Sequence, residues 1–288
     1  MFAPTGDLVA AAHAQRGAVG AFNVITIEHA EAITAGAERV ALPVILQVSE
    51  NAVRFHDGRL GPLAAALRRV AADAAVAVGL HLDHVESMDL LYAASEHGFG
   101  SVMVDASRLP YADNVAAVAG AAAFAHRHGL WLESELGLIG GKDGAAPLSA
   151  HAPGARTDPV EAAAYVDATG IDALAVAVGS SHARASRDTA LDQVLIAKLA
   201  DAVPVPLVLH GSSGVPDDQL AAAVTNGITK VNIGTALNLA FTSAVREYLA
   251  TDATLTDPRK YLTPARAAMV DAAAHFMTLL ASVPEGRP

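Results

Sequence analysis

A short apolar run followed by a longer alanine-rich stretch recurs eight times along this chain, which limits it to folds in which strands and helices take turns. The apolar runs cover 18–23, 43–49, 76–83, 100–105, 130–135, 171–178, 205–210 and 228–233. Helical spacing fills 27–41, 61–74, 87–98, 113–128, 159–169, 189–201, 217–226 and 235–249. Runs such as Pro43-Val-Ile-Leu-Gln-Val-Ser49 are apolar on consecutive positions, which suits parallel strands buried on both faces. Right-handed crossovers close such a series into a (β/α)8 TIM barrel, the α/β fold expected here, although an open doubly wound sheet satisfies the same alternation. The 288 residues suit one barrel, which typically takes about 250. No linker rich in Pro, Ser or charge interrupts them, so 1–288 reads as one domain, with a C-terminal helical extension over 264–281.

Composition narrows the partners. Apolar types make up 52% of the chain, enough for a large core. A formal charge of −11 argues against nucleic acid or an anionic membrane as a partner, but not against a small phosphate met by a local site. There is no cysteine, which excludes disulfides and thiolate metal sites. No apolar run approaches the ~20 residues of a membrane span, and no basic segment leads into an apolar core after Met1. The expectation is a soluble cytoplasmic protein.

Local signals are clearest around 159–169. Asp158 can cap that helix, Pro159 fits its first turn and Gly170 can end it in a left-handed turn. The stretch 137–157, rich in Gly, Ala and Pro, is long for a loop in a compact domain, and such loops are often lids.

Barrel enzymes carry their reactive groups at the C-terminal ends of the strands. Those ends here read Asn23, Ser49, Asp83 with His84, Asp105, Glu133 with Glu135, Gly179 with His182, His210 with Gly211, and Asn232. Three histidines therefore end strands three, six and seven. Neutral imidazole is a good zinc ligand, and three protein ligands with one open position make a catalytic site. Each histidine alone would read as an ordinary rim residue; the three together point to a metal. His81 is expected to pack or hydrogen-bond within its strand, and the remaining histidines, His126 and His128 among them, to lie on helix or loop surface. Glu133 and Glu135 are two apart on a strand and point the same way. Buried carboxylates need a cation, supplied by a second metal position, the substrate, or a neighbouring Lys or Arg. The small residues at Gly211, Ser213, Asn232 and Thr235, after strands seven and eight, form loops that can cradle a phosphate.

With those residues placed, the chain resembles the class II, metal-dependent fructose- and tagatose-bisphosphate aldolases. The matching stretches are Ala21-Phe-Asn23, His81-Leu-Asp-His84, Ser101-Val-Met-Val-Asp-Ala-Ser107, Glu133-Ser-Glu-Leu-Gly137, Ala175-Val-Ala-Val-Gly-Ser-Ser-His182, Leu207-Val-Leu-His-Gly211, Lys230-Val-Asn-Ile233 and Asp257-Pro-Arg259. They fall in family order along nearly the whole chain. The resemblance implies a zinc ion on His84, His182 and His210, with Asp83 moving a proton at the C4 hydroxyl of the cleaved sugar. It implies that Asp105 and Glu135 bind or orient the metal in a second position. Gly179, Gly211, Ser213, Asn232 and Thr235 would hold the dihydroxyacetone-phosphate end, beside a monovalent cation such as Na+ or K+. Asn23 and Ser49 would contact substrate. Arg259 would reach the other phosphate, in the family often from a neighbouring subunit, which implies a homodimer or homotetramer.

The chain also departs from the family pattern. Where a loop glutamate commonly serves as base it has Gly140-Gly-Lys-Asp-Gly144, and Asp143 is the nearest candidate, one methylene shorter. Ala183 stands in place of a usual glycine, and Gly234 in place of a usual Asp or Ala. Lys230 raises the alternative of Schiff-base aldol chemistry, but reads as structural beside the histidine trio. Two further readings stay open: aldol chemistry on a different phosphorylated sugar, and a barrel that only binds a sugar phosphate.

Overall fold

The computed structural model describes residues 1–137, 139, 155–182 and 186–281. Its strands are β1 (Val19–Asn23), β2 (Val44–Ser49), β3 (Val78–Val85), β4 (Ser101–Val104), β5 (Trp131–Leu136), β6 (Ala173–Val176), β7 (Leu207–Leu209) and β8 (Ile228–Ile233). All neighbours pair in parallel, and β8 returns to pair with β1, with Ala21 opposite Asn232. The sheet is a closed barrel, and the open-sheet alternative is excluded.

Helices separate the strands: α1 (Thr5–Ala14), α2 (Ile27–Val40), α3 (Glu50–Phe55), α4 (Leu60–Asp73), α5 (Met88–Glu96), α6 (Tyr111–Arg127), α7 (Pro159–Thr169), α8 (Gln193–Ala202), α9 (Asp217–Thr225), α10 (Thr235–Leu249) and α11 (Pro258–Ala281). Helix α7 has the ends its sequence announces. Asp158 accepts bonds from the N–H groups of Val160 and Glu161, and Gly170 closes the helix at φ 66°. Helix α11 begins six residues before the expected 264, because Pro258 suits a first helical position and Asp257 accepts a bond from the Arg259 N–H.

Period-two alternation sorts each strand into two faces. Outward residues such as Phe22, Leu46, Leu80 and Leu132 join helix residues such as Ile33 and Leu67 in the main core. Inward residues form a smaller cluster at the N-terminal end, where Val19, Ala21 and Ile45 meet Leu8 and Val9 of α1, with Trp131 packed against them. Helix α1 plugs the barrel floor. The sequence pattern did not disclose it, because it precedes the first strand and belongs to none of the eight strand–helix repeats.

Helix α11 buries Met269, Ala273, Phe276, Met277 and Leu280. It packs mainly on α2 and α10, so it belongs to the same core as the barrel's helical ring. Phe276→Ala should therefore cost about 3–5 kcal/mol in urea unfolding, whereas Phe55→Ala at an exposed position should stay within about 0.5 kcal/mol. Similar losses for the two would contradict this packing.

Candidate active site

Successive residues on a regular strand point to opposite faces, so Asp83 and His84 should not share one. They do. The β3–β4 register shifts between Leu82 and Val85, and His84 takes a left-handed φ of 50°. This bulge turns both side chains into a cavity of about 440 Å³ at the C-terminal mouth of the barrel, within the usual range for ligand sites.

His84, His182 and His210 converge there. Their ring centroids lie 5.2 Å (His84 to His182), 4.8 Å (His84 to His210) and 6.1 Å (His182 to His210) apart. One ligand atom from each falls within 4.8 Å of the others. Carboxylates orient two of the rings: His84 Nδ1 lies 2.9 Å from Asp105 and His210 Nδ1 3.1 Å from Glu135. Such carboxylate partners set the tautomer and basicity of a metal-binding histidine. An all-imidazole donor set held this way fits a zinc ion. Asp105 and Glu135 thus contact the histidine rings directly.

Burial would lower the His210 pKa, but its bonds to Glu133 (2.8 Å, through Nε2) and Glu135 push it up to about 9. A metal there requires the neutral ring with one nitrogen free, so its uptake must release a proton and displace one of these two carboxylates. Glu133 is fully buried, and its other oxygen accepts a bond from Lys230 Nζ at 2.8 Å. Burial raises its pKa, but Lys230 and His210 outweigh that and hold it well below the usual carboxylate range. Of the readings open for Glu133, the neighbouring lysine is the one realised. Lys230 also donates to Asn232 Oδ1 at 2.7 Å.

Asp83 is almost fully buried. Burial raises its pKa, yet the nearby His84, His210, His81 and Lys230 together hold it below the ordinary aspartate value. Asn232 and Gln47 approach its oxygens at 3.3 and 3.4 Å, and Gln47 also donates to Asn23 Oδ1 at 2.6 Å. Gln47 is fully buried in a strand otherwise apolar at its centre, a polar signal that sequence reasoning missed.

Opposite β3, Gly211 opens the turn Ser212–Gly214 at φ 65°. A Cβ there would lie 2.6 Å from the Ser181 carbonyl carbon, so the approach of these two loops needs glycine. Ser213 Oγ accepts a bond from the Ala236 N–H, tying the turn to the first turn of α10, which carries no acidic residue. Thr235 and Asn238 of α10 face the cavity, so this helix N-terminus is suited to an anion.

The structure gathers Asn23, Ser49, Asp83, His84, Asp105, His182, Gly211, Ser213, Asn232 and Thr235 on the cavity wall. It does not bring every expected residue there: His210 and Glu135 are fully buried and do not line the wall. Gly179 lies behind, packed against Arg156. Arg259 is solvent-exposed, bonds to Asp257 in its own turn, and does not line the cavity within this chain. Asp143 and Ala183 lie outside the described residues. His81 is buried and bonds to Ser101, as expected for a strand histidine. His29, expected on the surface, is instead buried: it stacks on Phe241 of α10 and caps α2 through Thr26, contacts that its own helix cannot reveal. Sequence reasoning also missed Arg54, Arg108 and Asn238, which line the cavity from helices and loops beyond the strand ends.

The fold agrees with comparisons to known proteins. Residues 3–285 match the family model described as "Fructose-bisphosphate aldolase class-II". A fructose-bisphosphate aldolase from Geobacillus stearothermophilus is 39% identical, covering 88% of this chain and 87% of that one. A fructose-bisphosphate aldolase from Thermus caldophilus is 35% identical, covering 96% and 97%. Among solved structures, the YdjI aldolase from Escherichia coli K12 superposes with a TM-score of 0.82 at 30% identity, covering 97% of each chain.

The Lys230–Glu133 pair should be costly to break singly. Lys230→Met leaves buried Glu133 with only His210 to answer its charge and should lower stability by about 3–5 kcal/mol in chemical denaturation. A loss under about 1 kcal/mol would show that the pair is not what neutralises Glu133.

Proposed function

The chain belongs to the class II fructose-bisphosphate aldolase family and is an aldolase, a carbon–carbon lyase; from that premise we propose that it cleaves a ketose bisphosphate reversibly to dihydroxyacetone phosphate and glyceraldehyde 3-phosphate. Fructose 1,6-bisphosphate and tagatose 1,6-bisphosphate are the substrates to compare. The observation that carries this reading is the convergence of His84, His182 and His210 beside a cavity that Asp83, His84 and His182 line.

These three imidazoles would hold a zinc ion, with Asp105 and Glu135 fixing ring orientation and offering oxygens for a second position. A bound zinc supplies Lewis acidity at the ketone oxygen. Asp83, as the carboxylate, accepts the C4 hydroxyl proton as the C3–C4 bond breaks, and returns it in the reverse direction. Asn232 and Gln47 keep its carboxylate in place for this. The turn at Gly211 and Ser213, with Thr235 at the start of α10, binds the phosphate of the dihydroxyacetone half. A monovalent cation would assist on the Gly179 side. Asn23 and Ser49 contact the sugar chain from β1 and β2. Asp143 serves as the loop base, and Arg259 acts in a neighbouring subunit of a homodimer or homotetramer. The described helices include none long and apolar enough to cross a membrane, and a cytoplasmic location suits the reading.

Two measurements separate the roles. Removing metal with a chelator should abolish cleavage, and zinc should restore it; full activity in metal-free protein would contradict the mechanism. His84→Ala should lose bound zinc by elemental analysis. Asp83→Ala should keep its zinc and lose turnover by about 10²–10⁴-fold, the scale of one general acid–base group.

A further inference from the structure

The turn Ser212–Gly214 carries Ser213 to the cavity and is held from three sides. Ser212 Oγ donates to the Asn232 carbonyl of β8, and the Ala236 N–H of α10 donates to Ser213 Oγ. The third side comes from the chain that follows His182. There the Thr189 N–H donates to the Gly214 carbonyl at 3.0 Å. Arg187 donates to the next carbonyl, that of Val215, from Nε at 3.0 Å and from Nη2 at 2.6 Å.

Two helices aim this guanidinium. Its Nη2 also donates to Asp217 at 2.6 Å, in the first turn of α9, and its central carbon lies 5.3 Å from the centre of the Phe276 ring in α11. The other Asp217 oxygen faces His275 Nε2 of α11 at 2.9 Å. Arg187 and Asp217 are partly exposed, so their ion pair adds little stability by itself. Its effect is on direction. With Phe276 on one face and Asp217 at one edge, the planar fork keeps two N–H groups on a single carbonyl. Arg187 does not line the cavity. It acts on the turn from outside.

We infer that Arg187 is a positioning residue for the dihydroxyacetone-phosphate half of the substrate, clamping the Ser212–Gly214 turn from outside the cavity. This deepens the aldolase reading and rests on it. A turn that grips an anion through small residues and backbone N–H groups grips it only while its backbone keeps one direction. On one face that direction is already fixed, since Gly211 is packed so closely on Ser181 that a Cβ would lie 2.6 Å from its carbonyl carbon. Arg187 and Thr189 fix the far end, at the carbonyls of Val215 and Gly214. A turn ordered before the anion arrives has less freedom to lose on binding, so the clamp should show in affinity for the half that the turn holds and not for the other half.

The test runs in the condensing direction with the zinc-loaded full chain, and KM is measured separately for dihydroxyacetone phosphate and for glyceraldehyde 3-phosphate. Arg187→Gln should raise KM for dihydroxyacetone phosphate about tenfold, the scale of one hydrogen bond from a charged group, and move KM for glyceraldehyde 3-phosphate by less than about twofold. Arg187→Lys keeps the charge beside Asp217 without the fork and should recover part of the loss. Asp217→Asn, at a partly exposed position, removes only the carboxylate charge that aims the guanidinium and should show the same selectivity at a smaller size, so the test stands even if Arg187→Gln does not fold. KM values that rise together for both substrates, or a lowered urea midpoint with neither KM changed, overturn the inference. Exchange of the C3 proton of dihydroxyacetone phosphate with labelled water by the unsubstituted enzyme guards the premise. Its absence defeats the aldolase reading itself, whereas exchange without the KM selectivity defeats only the role of Arg187.

Discussion

Pairing of β8 with β1 is the constraint on which the site depends. In an open sheet with strands about 4.8 Å apart, the ends of β3 and β7 would lie roughly 19 Å from each other. Closure bends them to face across a common interior, and His84 and His210 become ring neighbours at 4.8 Å. No local feature near either histidine could accomplish this. Distance along the chain is irrelevant once the ladder is closed, and every residue on the mouth inherits its position from that one pairing.

Closure has a cost that the interior shows. Inward side chains of eight strands must fill a narrow space, and here the floor is apolar while the upper part is ionic. Trp131, Ile45 and α1 seal the base. Above them Lys230, Glu133 and His210 form a buried charged chain, and Asp83 joins it through Asn232. Such groups are tolerated in a dry interior only when each is paired. The pairing also makes the site rigid. Lys230 is linked to His210 through Glu133 and to Asp83 through Asn232, so a change at Lys230 reaches both.

Much of this was legible in the sequence, for identifiable reasons. Buried parallel strands need consecutive apolar residues, so the eight runs stood out, and a polar residue terminating such a run stood out with them. His84, His182, His210, Asp83 and Asn232 were found in this way. The bulge at Asp83 and His84 was not legible, because backbone conformation at a non-glycine residue leaves no mark in composition. Gln47 was hidden by its apolar neighbours in β2. The short helix α3 began where Ser49 had been read only as a strand end, although Ser49 Oγ caps it by accepting the Ala52 N–H. With α3 went Arg54. His29 was misplaced because its partner Phe241 belongs to a helix that only the closed ring brings alongside.

The central claim is that barrel closure gathers three imidazoles into one metal site. X-ray absorption at the zinc edge on the zinc-loaded protein tests it most directly. The account predicts a first shell containing three imidazole nitrogens at about 2.0–2.1 Å, with the distinctive outer scattering of the rings reduced by one in a His182→Ala variant. A shell dominated by oxygen, or one unchanged by that substitution, would contradict it.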